Sequence, residues 1–493
     1  NCPQFLIAEL GAWKAGAVVS PLNPMYTDRE LGEALERTGA ETVVALTRFY
    51  SRVKRVQART AVRRVVATSI KEYLPGALRI AYTLFRERAA GDRVSVRDGD
   101  LRLPELLRRY RGAAPPAVRV GPDDPALLLM SGGTTGTPKA VVGLHRSLVA
   151  SGLQLRSWLH AALGEWDDVI LLPLPLFHVY GNVGGQGVAL IGHNPLALVP
   201  DPHDVTDVVR TLARVRPAFF VSVPALFGAL LRHPDVRSGR ADFRSLKACF
   251  SGASALLAET KLRFEEMTGG RIVEGYSLTE AMMACTVNPV AGENKLGSVG
   301  MPLPDVEVRI VDDGGERELP AGEAGEILLR APQLMAGYWG DEAETREVLR
   351  PHGQGAPWLH TGDVGYLDGD GYLFVVDRKK DVIKAGGFQV WPREVEEAVA
   401  THPAVAEVGV AGVVDPVRGE QVRAWVVARP GMRVTEEEIR DHCRLTLAPY
   451  KVPARVELVA ELPKSPLGKV LRRVLQAGGV QPAGEPARAP APG

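Results

Sequence analysis

Cysteine is scarce: Cys2, Cys249, Cys285 and Cys443 are the four in 493 residues. No two form a CxxC pair, which excludes a zinc knuckle or a dithiol redox motif. Four scattered thiols fit a reducing, cytoplasmic setting better than a disulfide framework. No apolar run reaches the ~18 residues of a membrane span. Neither sign of charge dominates: 59 Lys+Arg against 58 Asp+Glu leave a net +1, so the electrostatic footprint of a dedicated nucleic-acid binder is missing. The first residue is Asn1 rather than Met, and no charged n-region, h-region or cleavage site precedes the first helical pattern. The expectation is a chain that starts inside a domain and lacks the beginning of its fold.

What is present is an ordinary globular composition, 45% hydrophobic and 24% charged. The length predicts two to four domains at roughly 100–200 residues each. Helical spacing over Gln4–Ala15 and Arg29–Gly39 alternates with strand-like Ala17–Pro21 and Glu41–Leu46. Ile70–Arg88 reads as an amphipathic surface helix, with membrane contact as the alternative. A Gly/Pro/Ala-rich linker, Arg111–Asp124, leads to the strand Ala126–Met130. Helices and strands then alternate to Glu274, which predicts a doubly wound sheet with ligands at the strand carboxyl ends. From about Leu296 short strands punctuated by Gly and Pro predict a β-rich subdomain. Beyond Asp377 a small α+β unit follows, with Pro392 opening one helix and the capping box Thr435-Glu-Glu-Glu438 another. The fold class is therefore α/β: a large N-terminal domain over 1–377, a small mobile C-terminal domain over 378–475, and a disordered Gly/Ala/Pro tail over 476–493.

The densest chemical signal is Met130-Ser-Gly-Gly-Thr-Thr-Gly-Thr-Pro-Lys139. It follows a strand. Gly132, Gly133 and Gly136 let backbone N–H groups approach phosphate oxygens. Ser131, Thr134, Thr135 and Thr137 add hydroxyl donors, and Lys139 adds positive charge. A Walker A loop is excluded, because Pro138 separates Gly from Lys and Ala140 follows. Glu280, after a strand and a turn, suits Mg²⁺ shared with phosphate oxygens. Tyr276 offers a flat face to a base. Asp363, between Gly362 and Val364, is a carboxylate that could cap a turn or accept hydrogen bonds from a ligand. Lys469 sits in a Pro/Gly loop, where a lysine is ordinarily a surface residue.

The loop Ser131–Lys139 resembles the phosphate loop of the acyl-adenylate-forming (AMP-binding) superfamily, which includes acyl-CoA synthetases, peptide-synthetase adenylation domains and luciferases. Four more segments resemble that family's motifs, in its order: Gly275-Tyr-Ser-Leu-Thr-Glu280, Thr361-Gly-Asp363, Asp377-Arg-Lys-Lys-Asp-Val-Ile-Lys384 and Pro463-Lys-Ser-Pro-Leu-Gly-Lys469. The resemblance implies ATP and Mg²⁺ as cofactors and coenzyme A as second substrate. It implies catalytic roles for Lys469, Glu280, Thr279 and Lys139. ATP or AMP would be bound by Ser131 to Thr137, Gly252, Ala253, Tyr276, Asp363 and Arg378. Lys380 would be the hinge between half-reactions, and Gly386 and Gly387 would line the CoA channel.

Leu174-Pro-Leu-Phe-His-Val-Tyr-Gly181 resembles the acyl-pocket segment, with Phe177, His178, Tyr180 and Gly181 as lining. Amino-acid-activating members place an aspartate here, and this chain has none. The blocks Trp358–Tyr366 and Gly387–Val395 look most like bacterial long-chain fatty-acyl-CoA synthetases. The expected reaction is activation of a medium- or long-chain fatty acid to acyl-AMP with pyrophosphate release, then thioester formation with CoA. Alternatives are an aryl or short-chain acyl-CoA synthetase, an acyl-AMP ligase to a carrier protein, and a catalytically impaired nucleotide- or acyl-binding protein. Partners are small molecules, without nucleic acid, and with peripheral membrane contact open. Ala140 and Ala331 stand where the family usually has Gly, and Gly143 where a hydroxyl is common. Strain at Ala140 is expected if its φ is positive.

Overall fold

The computed structural model describes residues 1–97, 99–131, 139–312, 314–315, 317–352, 355–385, 388–415, 419–465 and 468–479. The phosphate-loop residues Gly132 to Thr137, the CoA-channel residues Gly386 and Gly387, and most of the tail expected to be disordered lie outside the described residues.

The centre of the large N-terminal part is a seven-stranded sheet. Leu196–Leu198, Ile170–Leu172, Phe219–Ser222, Ala248–Ser251 and Arg271–Leu278 run parallel, and Met283–Val287 and Met301–Pro302 extend the sheet antiparallel. Ile170–Leu172, Phe219–Ser222 and Ala248–Ser251 are buried at every position. Parallel strands covered on both faces read as continuous apolar runs for this reason. Helices Pro224–Arg232 and Ala258–Thr268 cover one face, with Phe227 edge-on to both Phe220 and Phe264.

A smaller parallel sheet joins Thr42–Leu46, Arg64–Thr68 and Leu101–Arg102. An antiparallel sheet joins Pro125–Ser131, Lys139–Leu144 and Gly337–Tyr338. The β-rich part is antiparallel: Glu307–Val311, Gly325–Arg330, Trp358–Leu367, Leu349–Arg350 and Leu373–Arg378. A last sheet, around Gly419–Ala428 and Val405–Asp415, packs with helices Pro392–Ala400 and Glu436–Arg444 over its own core of Val395, Val399, Val410 and Ile439.

Local chemistry explains the helix boundaries. Thr27 and Thr435 close capping boxes with Glu30 and Glu438, and Gly39 terminates Asp28–Thr38 in the left-handed region. Two expectations are corrected. Ala17–Pro21 is not a strand; only Val19 pairs, bridging to Leu127. Ile70–Arg88 is not one helix. A 3₁₀ turn, Ile70–Tyr73, stops before Pro75, and a helix with a π-turn, Gly76–Arg86, resumes after it. Proline cannot donate the hydrogen bond that continuity requires. Among the described residues no helix is long and apolar enough to cross a membrane. All four cysteines are free and buried.

Candidate active site

Ser131 and Lys139, the two ends of the phosphate loop, are register partners on adjacent antiparallel strands. That pairing anchors Lys139 on a strand. Ala140 continues the strand opposite Met130 and is not among the positive-φ residues. Strain from the Ala-for-Gly difference is therefore absent. At Gly143, a Cβ would meet Met282 Sδ at 2.6 Å. Met282 thus occupies space that a hydroxyl side chain at position 143 would need.

Lys139 ion-pairs with Glu344, and its Nζ lies 5.0 Å from the centre of the Tyr338 ring. The Tyr338 hydroxyl donates to Glu280 Oε1 at 3.1 Å. Burial, with Glu280 beside it, raises the Tyr338 pKa and keeps the hydroxyl protonated. Lys139 and Glu280, far apart in sequence, therefore share one neighbour. Glu280 follows Thr279 in the turn after Arg271–Leu278, and its carbonyl accepts from Met335 N at 2.8 Å. A half-buried carboxylate with a lysine nearby fits Mg²⁺ carried in on polyphosphate, because Mg²⁺ is usually held by one or two carboxylates plus substrate phosphates. Sequence reading missed Tyr338 and Glu344. Nothing in local periodicity marks them.

The nucleotide-side residues form a second cluster. Asp363 and Arg378 are cross-strand partners, and Arg378 Nε lies 3.2 Å from Asp363 Oδ1. The Tyr276 hydroxyl donates to Asp363 Oδ2 at 2.5 Å. Burial first, and Asp363 second, raise the Tyr276 pKa well above that of a free phenol. Gly362, at φ +68°, turns the chain into Asp363, and its N–H donates to Glu326 Oε1 at 3.3 Å. At the end of Ala248–Ser251, Gly252 leads into Ala253, which takes φ +73°. A non-glycine residue in that region marks local strain of the kind that clusters at functional sites.

The acyl-pocket segment divides. Tyr180 is fully buried, and its hydroxyl donates to the carbonyls of Ser222 (2.8 Å) and Phe250 (3.1 Å). It ties two strand ends together. A Cβ on Gly181 would meet the Pro175 carbonyl at 2.3 Å, so only glycine fits. Phe177 and His178 are half-buried. His178 Nδ1 accepts from Tyr180 N, and burial lowers its pKa to about 4, so the ring is neutral near pH 7. A narrow apolar seam is lined by Leu155, Tyr180, Gly184, Val188, Phe250 and Met283. Sequence reading also missed Glu9. It is buried under this segment, accepting from Asn182 at 2.8 Å and Gln186 at 2.6 Å.

Lys469 follows Gly468, at φ +77°, in a turn closed by Ser465 N donating to the Lys469 carbonyl. Its side chain is exposed, and the charges of Arg378 and Asp363 act on its ammonium. Desolvation, with Arg378 second, lowers its pKa to about 8, and the solvent it keeps works against that shift. Lys380 is exposed, its pKa lowered by partial desolvation and by Arg378.

The family profile described as AMP-binding enzyme matches residues 1–339, and that of the AMP-binding enzyme C-terminal domain matches 394–469. A relative named long-chain-fatty-acid–CoA ligase from Bacillus subtilis (strain 168) is 36% identical over 477 residues, covering 96% of this chain and 83% of the relative. One of the same name from Yersinia pestis is 35% identical over 485 residues, covering 97% and 83%. The ATP-bound structure of MatB from Rhodopseudomonas palustris is similar with a TM-score of 0.82 at 28% identity, covering 96% of this chain and 86% of that one. The anthranilate CoA ligase AuaEII in complex with anthranoyl-AMP gives 0.82 at 27% identity, covering 96% and 85%. The chain belongs to the AMP-binding enzyme family.

Proposed function

We propose that this protein is an acid–thiol ligase that activates a medium- or long-chain fatty acid with ATP and transfers the acyl group to coenzyme A. The observation that carries this reading is the meeting of Tyr276, Asp363 and Arg378 from three separate motifs, with the Lys469 of a fourth close enough for the charges of Arg378 and Asp363 to act on it. The relatives' names give the acid, and the pocket agrees with it. His178 of the acyl-pocket segment is neutral, and the seam lined by Tyr180 of the same segment is apolar.

In the first half-reaction a carboxylate oxygen attacks the α-phosphorus of ATP. The bond to the bridging oxygen breaks and pyrophosphate leaves. Asp363 holds the ribose, oriented by Tyr276 and Arg378. Lys139 and Lys469 neutralise developing charge. Glu280 would help hold Mg²⁺ brought in with the nucleotide, and the ion would supply charge neutralisation of the polyphosphate. In the second half the thiol sulfur attacks the acyl carbon, the carbon–oxygen bond to AMP breaks, and the thiol proton passes to solvent. Lys380 serves as hinge between a domain ending near Asp377 and a smaller one over 378–475, and the thiol channel is assigned by motif resemblance to Gly386 and Gly387, which lie outside the described residues.

We place the protein in the cytoplasm, in peripheral contact with membranes. Leu78, Ile80, Leu84 and Phe85 are exposed on Gly76–Arg86 among the exposed Arg79, Arg86 and Arg88. Apolar side chains interleaved with arginine suit an anionic lipid surface. Flotation with phosphatidylglycerol vesicles tests this, and a Leu84→Ser/Phe85→Ser protein that floats equally well overturns it. Acid-dependent AMP release with CoA, across fatty, aryl and amino acids, tests the function. Turnover of fatty acids is expected. Turnover confined to aryl or amino acids overturns the substrate class.

A further inference from the structure

Arg472 lies three residues beyond Lys469 and is the node of an ionic cluster. Its Nη1 is 2.7 Å from Asp377 Oδ1 and 3.1 Å from Asp381 Oδ2, and its Nη2 is 3.0 Å from Glu396 Oε2. The three carboxylates belong to different places. Asp377 is the next-to-last residue of the strand Leu373–Arg378 of the β-rich sheet, and Asp381 follows Lys380. Glu396 is on helix Pro392–Ala400. Asp377 does more than receive Arg472. Its Oδ2 accepts from Arg393 N at 2.8 Å, at the N-terminus of that helix, where a carboxylate is favoured. Arg393 also donates to the Val375 carbonyl at 2.8 Å. Asp377 is buried, and Arg472 is mostly so.

These contacts straddle Arg378-Lys379-Lys380. On one side stand Asp377 and Val375, paired in register with the strand that carries Asp363. On the other stand Arg393, Glu396 and Arg472, whose loop carries Lys469. A planar guanidinium with five donors can hold several carboxylates at fixed angles, which a point-charge ammonium cannot. We infer that Arg472 is a positioning residue for adenylate formation, clamping the Lys469 loop to Asp377 so that the lysine ammonium is held beside Asp363 and Arg378. This rests on the proposed role of Lys469. Arg472 itself is assigned no contact with substrate.

Because the clamp joins the Lys469 side to the Asp363 side, it matters only while Lys469 is needed. The test is therefore the ratio of the two half-reactions. Arg472→Gln and Asp377→Asn should each slow fatty-acid-dependent ATP–pyrophosphate exchange about 10- to 100-fold, the scale of a misplaced reacting group. Thioester formation from synthetic acyl-AMP and CoA should change less than about 3-fold on that scale, and Arg472→Lys should recover part of the exchange. Asp377→Asn keeps shape and volume, so it decides the matter if Arg472→Gln does not fold. Equal loss of both half-reactions, or exchange unchanged in both variants, overturns the inference. Lys469→Ala run in parallel separates the two levels: if it leaves exchange intact, the role of Lys469 is wrong, whereas loss in Lys469→Ala alone rejects only the clamp.

Discussion

The Tyr276 hydroxyl donates to Asp363 Oδ2 at 2.5 Å, while Arg378 approaches the other oxygen of the same carboxylate. The two carboxylate oxygens are thereby oriented before any ribose arrives. Tyr276 comes from the central sheet, and Asp363 and Arg378 from the β-rich one. The bond therefore fixes one layer against the other at the nucleotide side.

Tyr276→Phe removes that donor and keeps the ring. A hydrogen bond to a charged group contributes about 1.5–3 kcal/mol. The KM for ATP should rise about 10-fold or more, with a smaller change in kcat. Initial-rate kinetics at saturating fatty acid and CoA check this. An unchanged KM would show that Asp363 does not need Tyr276.

The ammonium of Lys469 is lowered to about 8 in the free protein, first by desolvation and then by Arg378. Its charge is present below that pH and lost above it. The pH profile of kcat/KM for ATP in the exchange reaction reports free-enzyme groups. It should fall on an alkaline limb below the ~10.4 of an ordinary lysine. Lys469→Arg should remove that limb, because guanidinium stays protonated. A limb unmoved by the substitution assigns it elsewhere.

Glu9 makes a statement about stability. Burial raises its pKa to about 7 from an ordinary 4.5. Between those values the folded protein holds a proton that the unfolded chain has released, so stability falls as pH rises through the window. The loss is on the order of 3 kcal/mol, at about 1.4 kcal/mol per pH unit. Glu9→Gln should flatten the dependence of the urea midpoint between pH 5 and pH 8. It should also be the more stable of the two proteins at pH 8. A parallel pH slope in both proteins contradicts this.

Gly184 tests the acyl seam. A Cβ there meets Met283 Cε at 2.8 Å. Gly184→Val should lower kcat/KM for long-chain acids about 10-fold or more relative to short ones, the scale of a methylene-sized change in an apolar pocket. A panel of acids of increasing length reads it, with a melting curve to confirm folding. Equal loss at every length points to a defect in folding rather than in the pocket.

Much of the fold is legible in sequence, because its signals are local. Pro392 at a helix start, Gly39 at a helix end and the Thr435 box each act within a few residues. The run Ile70–Arg88 misleads because helical spacing says nothing of the break that Pro75 imposes. Motif resemblance supplies Asp363, Tyr276, Arg378 and Lys469, but not the contacts among them. Tyr338, Glu344 and Asp377 act across the fold. Lys139 and Glu344 are 205 residues apart, and Asp377 and Arg472 95 apart. No period or spacing encodes such partners, since only the packing of helices Glu342–Val348 and Arg472–Gln476 against distant strands brings them together.

The route of the carboxylate oxygen tests adenylate formation most directly. The protein is incubated with ATP, CoA and palmitate labelled with ¹⁸O in both carboxylate oxygens, and the nucleotide is read by mass spectrometry. Attack on the α-phosphorus followed by thiol attack on the acyl carbon leaves one labelled oxygen in AMP and none in pyrophosphate. Unlabelled AMP, or ADP with the label in inorganic phosphate, contradicts it.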